Sequence, residues 1–243
     1  MKLSAKHMDY QELNKQIRAA EMNVAIADCC GQRFIGSGLK DKTVTINGTP
    51  GNALGAYLDG GVITVNGNAQ DAVGDTMNDG KIIIHGNAGD ALGYAMRGGQ
   101  IFVEGDSGYR TGIHMKEYTD IDGAAKRPVI VIGGGSGSFL GEYLAGGLIV
   151  VLGLGFDDAP VGNFTGTGMH GGRIFVRTKK VLGNLPAQVI ATQASPDDMK
   201  ELAPYITAFA ECFGRDAASI MKDTFYMLMP NAKNPYKQMY TAN

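Results

Sequence analysis

Residues 129–138 carry the residue types of a phosphate-binding turn. The apolar strand pattern Val-Ile-Val-Ile runs into Gly-Gly-Gly-Ser-Gly-Ser, which resembles the dinucleotide fingerprint G-x-G-x-x-G. The match is incomplete, because Ser138 replaces the third glycine and no clear helical pattern follows it. Nucleotide binding at this segment is therefore weighed against a second interpretation, in which the glycines are structural corners.

The histidines, serines and cysteines form no catalytic or metal-binding pattern. No two histidines are spaced to share a helix face, and no H-E-x-x-H sequence occurs. Gly135-Ser136-Gly137 lacks the spacing of a nucleophile elbow, and the adjacent Cys29 and Cys30 lack paired zinc spacing. We therefore expect this chain to hold no catalytic residue, no cofactor and no metal of its own.

The acidic residues do not resemble a sugar-cleaving pair. A carbohydrate-active enzyme needs converging carboxylates and usually aromatic platforms, whereas this chain has no tryptophan. Its acids are scattered at the predicted coil corners, where short acidic side chains are more often turn formers than catalysts. The acids in question are Asp59, Asp71, Asp75, Asp79 and Asp90.

Evenly spaced glycines indicate the architecture in which all of these residues lie. Three series recur at an interval of about 19 residues, then resume after an interruption. A fixed period of this kind is typical of a stacked repeat architecture. The register glycines are Gly48, Gly55, Gly61, Gly67, Gly74, Gly80, Gly86, Gly93, Gly99, Gly105, Gly112, Gly134, Gly141, Gly147 and Gly153.

Each first-series glycine follows a short β-branched strand with period-two alternation, such as Val44 and Ile46 before Gly48. The interval leaves no room for crossover helices. We therefore predict an all-β fold, a parallel β-helix of about seven coils with a repeat of about 19 residues, flanked by N- and C-terminal α-helices. Because Gly74 and Gly93 fall at interior coil corners, we expect their replacement by valine to destabilise the fold.

Two irregular insertions interrupt the register and define a candidate partner surface. Residues 116–127 mix both charge signs, and a second surplus surrounds residues 156–168. A solvated loop and a partner-docking loop are both consistent with the first insertion, since insertions in solenoids map to loops that often bind. The candidate surface comprises His114, Lys116, Glu117, Tyr118 and His170.

The ends of the chain are predicted to be helical. Asp9 followed by Glu12 is a helix-start pattern, and Ser195-Pro-Asp-Asp198 is a second one, with Pro204 expected to kink or restart the helix that follows. A further amphipathic stretch spans residues 216–227. We therefore divide the chain into an N-terminal helix and lead-in segment (1–40), the β-helix (41–180) and a helical tail (181–243).

Bulk properties exclude several classes of partner. The formal net charge of −2 and the lack of a basic stripe argue against nucleic acid and anionic membranes. No signal peptide or long apolar segment is present, so we expect a reduced, cytoplasmic protein without a membrane anchor. Exposed apolar faces of the solenoid leave self-association into a homo-oligomer open.

Longer stretches of the sequence resemble one family. They are residues 105–118 (GDSGYRTGIHMKEY), 128–133 (PVIVIG) and 139–153 (FLGEYLAGGLIVVLG), with the lead-in GQRFIGSG ending at Gly38 and Met229-Pro230 in the tail. They are similar to the GXGXG domain, the C-terminal right-handed β-helix of the glutamate synthase large subunit. The resemblance covers nearly the whole chain.

The resemblance implies a scaffold and not an enzyme. In that family an N-terminal amidotransferase domain and an FMN- and iron–sulfur-containing synthase domain convert glutamine and 2-oxoglutarate into two glutamates, and the β-helix bridges them. Since this chain starts with methionine and has nothing upstream, it looks like the separate β-helix subunit of a split enzyme. It would then have an amidotransferase subunit and an FMN-binding synthase subunit as partners.

Two alternatives stay open. The same β-helix resembles the largely non-catalytic assembly subunit of formylmethanofuran dehydrogenase, which would make the chain part of another redox complex. The other alternative is a self-sufficient enzyme or small-molecule binder that uses residues 133–138 or the surface around His114 and His170.

Overall fold

The computed structural model describes residues 1–21, 23–120, 122–180, 182–183 and 185–231. Residues 232–243 of the predicted tail lie outside this part. In chain order the elements are β1 (Lys2–Ser4), α1 (Tyr10–Ala19), β2 (Val24–Cys30), β3 (Thr43–Thr49), β4 (Asp59–Asn66), β5 (Asp79–Ile84), β6 (Gln100–Val103), β7 (Tyr118–Thr119), β8 (Ala125–Lys126), β9 (Val129–Ile132), β10 (Leu148–Val151), β11 (Arg173–Arg177), β12 (Val189–Gln193), α2 (Pro196–Phe213), α3 (Ala217–Met221) and β13 (Phe225–Pro230).

The strands form the predicted parallel β-solenoid. One sheet contains eleven strands in the order β1-β2-β3-β4-β5-β6-β9-β10-β11-β13-β12. The pairs from β1 to β11 are parallel, and each of the eight strands β2, β3, β4, β5, β6, β9, β10 and β11 belongs to one coil. The final strands β13 and β12 run antiparallel and close that end of the sheet.

The solenoid begins one coil earlier than the predicted span 41–180. Val24 and Ile26 of β2 pair in register with Val44 and Ile46 of β3. This first coil lacks the sequence signature because Cys29, not a glycine, lies opposite Gly48 after a shift in the ladder. Asp28 takes the positive φ of 56° at that corner. An Asp tolerates this conformation better than most side chains, so the coil closes without a glycine.

The interior of the solenoid is a ladder of β-branched side chains. Each strand contributes one residue to a column that is 2% exposed or less throughout. The column consists of Val24, Val44, Ile63, Ile82, Ile101, Ile130, Ile149 and Ile174. This stacking confirms the role predicted for the alternating apolar residues, because similar side chains pack on one another in successive coils.

The outward face of the same sheet changes character along the solenoid. Its central column reads Ala25, Thr45, Thr64, Ile83, Phe102, Val131, Val150 and Phe175. The last four are fully buried, because Leu202, Ile206 and Phe209 of α2 pack on them in a second core. The later coils are therefore buried on both faces, which explains why their strands are continuously apolar.

The helix starts predicted from the sequence are confirmed. Asp9 caps α1, its side chain accepting hydrogen bonds from the backbone N–H groups of Gln11 and Glu12. Ser195 caps α2 in a capping box with Asp198. The helix continues through Pro204 to Phe213 and ends at Gly214 in the left-handed conformation, so the predicted restart at Pro204 was wrong.

The stretch 216–227 is only partly helical. Helix α3 ends at Met221, and β13 then inserts between β11 and β12. Strand formation prevails here because the open edge of β11 needs hydrogen-bonding partners, which an amphipathic helix could not supply. Among the described residues, no helix has the length and apolarity needed to cross a bilayer.

The capping box should make stability depend on acid pH. The hydroxyl and backbone N–H of Ser195 donate to the Asp198 carboxylate, and with nearby Arg173 they hold its pKa below the ordinary 3.8. A lowered pKa contributes stability that is complete above the unfolded value and is lost as the pH falls through the folded value. Stabilisation from this carboxylate should therefore begin to decrease below about pH 3.8 and be lost as the pH falls through the lowered pKa of the folded state.

We expect Asp198→Asn to lower the free energy of unfolding at pH 6 by at most about 1 kcal/mol, because such surface interactions are weak. The difference from wild type should be smaller in urea denaturation at about pH 3, below the ordinary pKa of an aspartate, because the stabilisation by this carboxylate decreases there. Asp197→Asn is the matched control, since the neighbouring carboxylate is exposed and contacts only Lys200 among the described residues. A difference for Asp198→Asn that is equal at both pH values would contradict this account.

Candidate functional site

In the glycine-rich segment after β9, the backbone N–H groups of residues 133–137 are already used within the fold. The N–H groups of residues 133–137 all donate to neighbouring coils, at N···O distances of 2.7–3.0 Å. Their acceptors are, in order, the oxygens of Val103, Gly105, the Asp106 side chain, Pro160 and Ser107. A phosphate cradle needs N–H groups that point at the ligand. These glycines instead form solenoid corners, as the second interpretation predicted.

The serine of this segment is also engaged inside the fold. Ser136 is buried, and its Oγ accepts a hydrogen bond from Ser107 Oγ at 3.0 Å. Thr111 Oγ1 donates in turn to Ser107 Oγ at 3.0 Å. This chain of hydroxyl groups satisfies polar atoms between coils, and it provides no base that could activate a nucleophile.

His85 is part of a polar ladder on the solenoid surface, as its repeat position indicated. In the equivalent positions of earlier coils, Asn66 Nδ2 donates to Asn47 Oδ1 at 2.8 Å. His85 Nδ1 lies 3.7 Å from Glu104 Oε2, and Glu104 pairs with Arg215 at 2.9 Å. These contacts join the solenoid to the segment after α2, which is a structural role.

The first insertion folds back onto its own chain. It forms the β7–β8 hairpin, and Lys126 Nζ contacts Asp79 Oδ2 at 2.6 Å. Arg127 pairs with both Glu117 and Glu201, so the insertion is tied to α2. Burial opposes ionisation of Asp79, but the hydrogen bond from Lys126 prevails and the pKa of the Asp79 carboxyl is lowered.

The predicted partner residues of this insertion therefore differ in what they contact. Glu117 Oε1 accepts a hydrogen bond from the N–H of Gly147 at 3.1 Å, so this side chain is held against the solenoid. Tyr118 is half-buried and pairs with Lys126 in the hairpin. Lys116 is exposed. His170 is half-buried two coils beyond His114, with Nδ1 3.3 Å from the Gly168 oxygen, so the two histidines do not converge on one site.

The turns that follow the strands have an unusual backbone. Each turn places three left-handed residues at alternate positions, for example Arg110, Gly112 and His114 at φ of 58°, 72° and 56°. Side chains larger than glycine are strained in this conformation and persist where the surroundings fix them. We call the outward side chains of these successive turns, residues 51–58, 70–77, 89–96, 108–115, 137–144 and 162–169, the turn face.

Aromatic rings stack from coil to coil along the later half of the turn face. His114 lies parallel to Tyr143, with ring centroids 5.1 Å apart and an interplanar angle of 10°. Phe139 stacks on Phe164 at 5.0 Å, and the Arg110 guanidinium lies 5.1 Å from the Phe139 centroid. Phe164 is 55% exposed at the end of its stack. Exposed aromatic and arginine side chains are the types that dominate protein interfaces.

Of these stacked aromatic residues and Arg110, only His114 was predicted from the sequence to lie on a functional surface. The signal was present in the bulky residues two positions before and after the second-series glycines, such as Phe139 and Tyr143 around Gly141. It was obscured because a left-handed backbone is not expected at bulky residues. Only the observed φ angles bring these side chains to one outward edge.

Burial makes two of the three cysteine thiols less acidic. Burial raises the pKa of the Cys29 thiol to about 11, so it stays protonated, and desolvation also raises the pKa of Cys212. Within the same part, no group of three or more His, Cys, Asp or Glu side chains is placed to hold a metal ion.

Comparison with known proteins agrees with this architecture. The sequence model of a family described as "GXGXG motif" matches residues 4–233. An uncharacterized protein of Methanocaldococcus jannaschii, MJ1350, is 40% identical over 256 aligned positions that cover 99% of this chain and 96% of the relative. The fold is also similar to a chain of the Methylorubrum extorquens formyltransferase/hydrolase complex, crystallised with methylofuran, with a TM-score of 0.63, 23% identity, and 84% and 71% of the two chains covered.

Proposed function

The chain belongs to the GXGXG motif family, and from that membership we propose that it is a structural subunit of a multi-subunit enzyme. In this proposal the chain is the β-helix of a split glutamate synthase and lies between a glutamine amidotransferase subunit and an FMN- and iron–sulfur-containing synthase subunit. The reaction of the assembly would convert glutamine and 2-oxoglutarate into two glutamates. This chain would contribute no catalytic group.

The observation that carries the proposal is a contrast between the groups inside the solenoid and the side chains on the turn face. The groups that the sequence offered for chemistry are engaged within the solenoid, as with residues 133–137 and Ser136. The turn face, in contrast, exposes Tyr57, Tyr109 and Phe164 by more than half of their surface. A rigid body with interface-type side chains outside and no free reactive groups at these interior positions suits a bridge between other subunits.

The geometry of a solenoid explains how such a bridge would work. Eight coils at about 4.8 Å each give a rod about 34 Å long between the first and last strands. Inter-coil hydrogen bonds and the tail that covers β6, β9, β10 and β11 keep the rod from bending. Two partner subunits bound to different parts of the rod would thus be held at a fixed distance from each other. FMN and the iron–sulfur cluster would stay on those partner subunits.

A second candidate is an assembly subunit of a formylmethanofuran dehydrogenase type of redox complex. The observation that favours it is the fold similarity to a chain of the formyltransferase/hydrolase complex. Both candidates assign the same scaffold role and differ in the catalytic partners. A third, a self-sufficient small-molecule binder at residues 133–138, is weakened because the N–H groups of residues 133–137 are already donated.

Native affinity purification of the tagged full-length chain, followed by mass spectrometry, tests the proposal. We expect an amidotransferase and a flavin-binding synthase to copurify, and the purified chain alone to form no glutamate from glutamine. Copurification with a molybdenum or tungsten protein would support the second candidate. Recovery of the chain without partner subunits, or glutamate formation by the chain alone, would overturn the scaffold assignment.

A further inference from the structure

The earlier half of the turn face combines exposed tyrosines with carboxylates. Its members, which we call the tyrosine–aspartate patch, are Tyr57, Asp71, Asp75, Asp90, Tyr94 and Tyr109. The three tyrosines are 54%, 40% and 54% exposed, respectively. None of the six contributes to the interior ladder, so the patch has no role in the packing described above.

Hydrogen bonds between coils align the members of the patch along the solenoid. Asp71 Oδ1 accepts the N–H of Asp90 at 2.9 Å, and Asp90 Oδ1 accepts the N–H of Tyr109 at 2.8 Å. On the other side of the turn, the N–H of Tyr57 donates to the Asp75 backbone oxygen at 2.8 Å. Asp71, Asp90 and Tyr109 thus form one row, in which successive members are about one coil spacing of 4.8 Å apart.

The carboxylates of the patch are not neutralised by this chain. Among the described residues, Asp71, Asp75 and Asp90 form no ion pair, whereas Asp59, Asp79, Glu142 and Asp223 each contact a cation within 4.0 Å. Three unpaired negative charges therefore lie on two successive turns, 70–77 and 89–96, and give this surface a local negative potential.

The carboxylates are also held in place before any partner arrives. Because one oxygen of Asp71 and one of Asp90 are bound to the next coil, their side chains are already ordered and the second oxygen of each has no partner among the described residues. Preordered groups lose little conformational entropy on binding. The tyrosine rings beside them present flat faces that attract cations.

We propose that the tyrosine–aspartate patch docks an arginine-rich segment of a partner subunit. Guanidinium groups match this surface in two ways, since they bind carboxylates through paired N–H donors and stack on aromatic rings. Lysine supplies only a point charge and should bind less tightly. This inference rests on the proposed function for the existence of a partner subunit, but the chemistry of the patch is testable without one.

The test uses the full-length chain and a fluorescent nona-arginine peptide as the probe. We expect saturable binding at low ionic strength that weakens as salt screens the charges, and weaker binding of nona-lysine. Asp71→Asn/Asp90→Asn should lower the affinity for nona-arginine at least tenfold. The asparagines preserve the inter-coil hydrogen bonds, because Asn68 and Asn87 already accept such bonds from the next coil.

Two further variants distinguish an effect of the patch on peptide affinity from an effect of the net charge of the protein. Glu21→Gln/Glu211→Gln removes the same charge from exposed residues away from the turn face, and it should change the affinity less than twofold. Tyr94→Leu/Tyr109→Leu should reduce the preference for nona-arginine over nona-lysine, since the stacking surface is lost. Equal weakening by the two charge variants, or no binding of nona-arginine at low salt, would overturn the proposal.

The same variants distinguish this inference from the proposed function. If wild-type chain copurifies with an amidotransferase and a synthase and Asp71→Asn/Asp90→Asn does so equally at the same salt concentration, the patch is not the docking surface. If wild-type chain recovers neither subunit while the peptide results are as expected, the glutamate synthase assignment fails and the arginine-binding patch stands.

Discussion

Replacing Gly93 with valine is expected to lower the free energy of unfolding by about 2–5 kcal/mol, from backbone strain and overpacking together. Gly93 has φ of 68°, and a Cβ at this position would lie 2.4 Å from Ile130 Cδ1. Ile130 is fully buried in the interior column and cannot move aside without displacing its neighbours. The measurement is guanidinium denaturation followed by circular dichroism.

The clash with Ile130, and not the left-handed backbone alone, should dominate this effect. Ala95 two residues later has φ of 49° and still carries a Cβ. Ala95→Gly should therefore change stability by less than about 1 kcal/mol. Ile130→Val removes the Cδ1 atom, so Gly93→Ala should destabilise that variant less than it destabilises wild type. In a double-mutant cycle, the double variant should therefore be less destabilised than the sum of the two single variants. Additive effects, or a Gly93→Val protein that denatures like wild type, would contradict the turn geometry.

Phe209→Ala is expected to cost about 3–5 kcal/mol, the usual range for a large cavity in a core. Phe209 is fully buried between α2 and the outward face of the sheet, with its ring 4.8 Å from that of Phe213. Its Cζ atom lies so close to Gly133 that a Cβ there would be 2.8 Å away. The loss should appear as a lower denaturation midpoint and as faster amide exchange in the outward residues of β9 and β10.

Phe164→Ala is the matched control for Phe209→Ala. Phe164 also stacks on another phenylalanine, but it is 55% exposed on the turn face. Its removal leaves no cavity, so we expect a change within about 1 kcal/mol. Equal destabilisation by the two substitutions would mean that the tail does not form a second core with the sheet.

The two predictions differ in how far sequence alone supports them. The glycine series identified Gly93 as an interior corner, because a period of about 19 residues repeats one local conformation in every coil. The role of Phe209 could not be derived that way. Helical periodicity indicated an apolar stripe on α2, but nothing in the local pattern says which of several sheet faces that stripe covers.

In the candidate site, too, some features were predicted from the sequence and others depend on the completed fold. The insertion at residues 116–127 was predicted as a solvated or docking loop, and the structure places Lys126 and Arg127 in a clasp with Asp79 and Glu201. Those partners are 47 and 74 residues away in sequence, so their pairing depends on the completed fold. The prediction that Lys116, Tyr118 and the rest of the candidate surface contact a partner remains to be tested by the purification above.

By itself, the sequence determined the β-solenoid, its coil register, the interior ladder and the starts of α1 and α2. These features arise from contacts that repeat at a fixed interval or lie within one helical turn, so each leaves a local pattern. Tertiary structure alone decided that α2 covers the later coils and that the insertion clasps it. It also decided that side chains such as Arg110, His114 and Phe139 share one outward face. The physical reason is that these arrangements depend on burial and hydrogen bonding between distant segments, which hold even bulky residues in a left-handed conformation that local preference opposes.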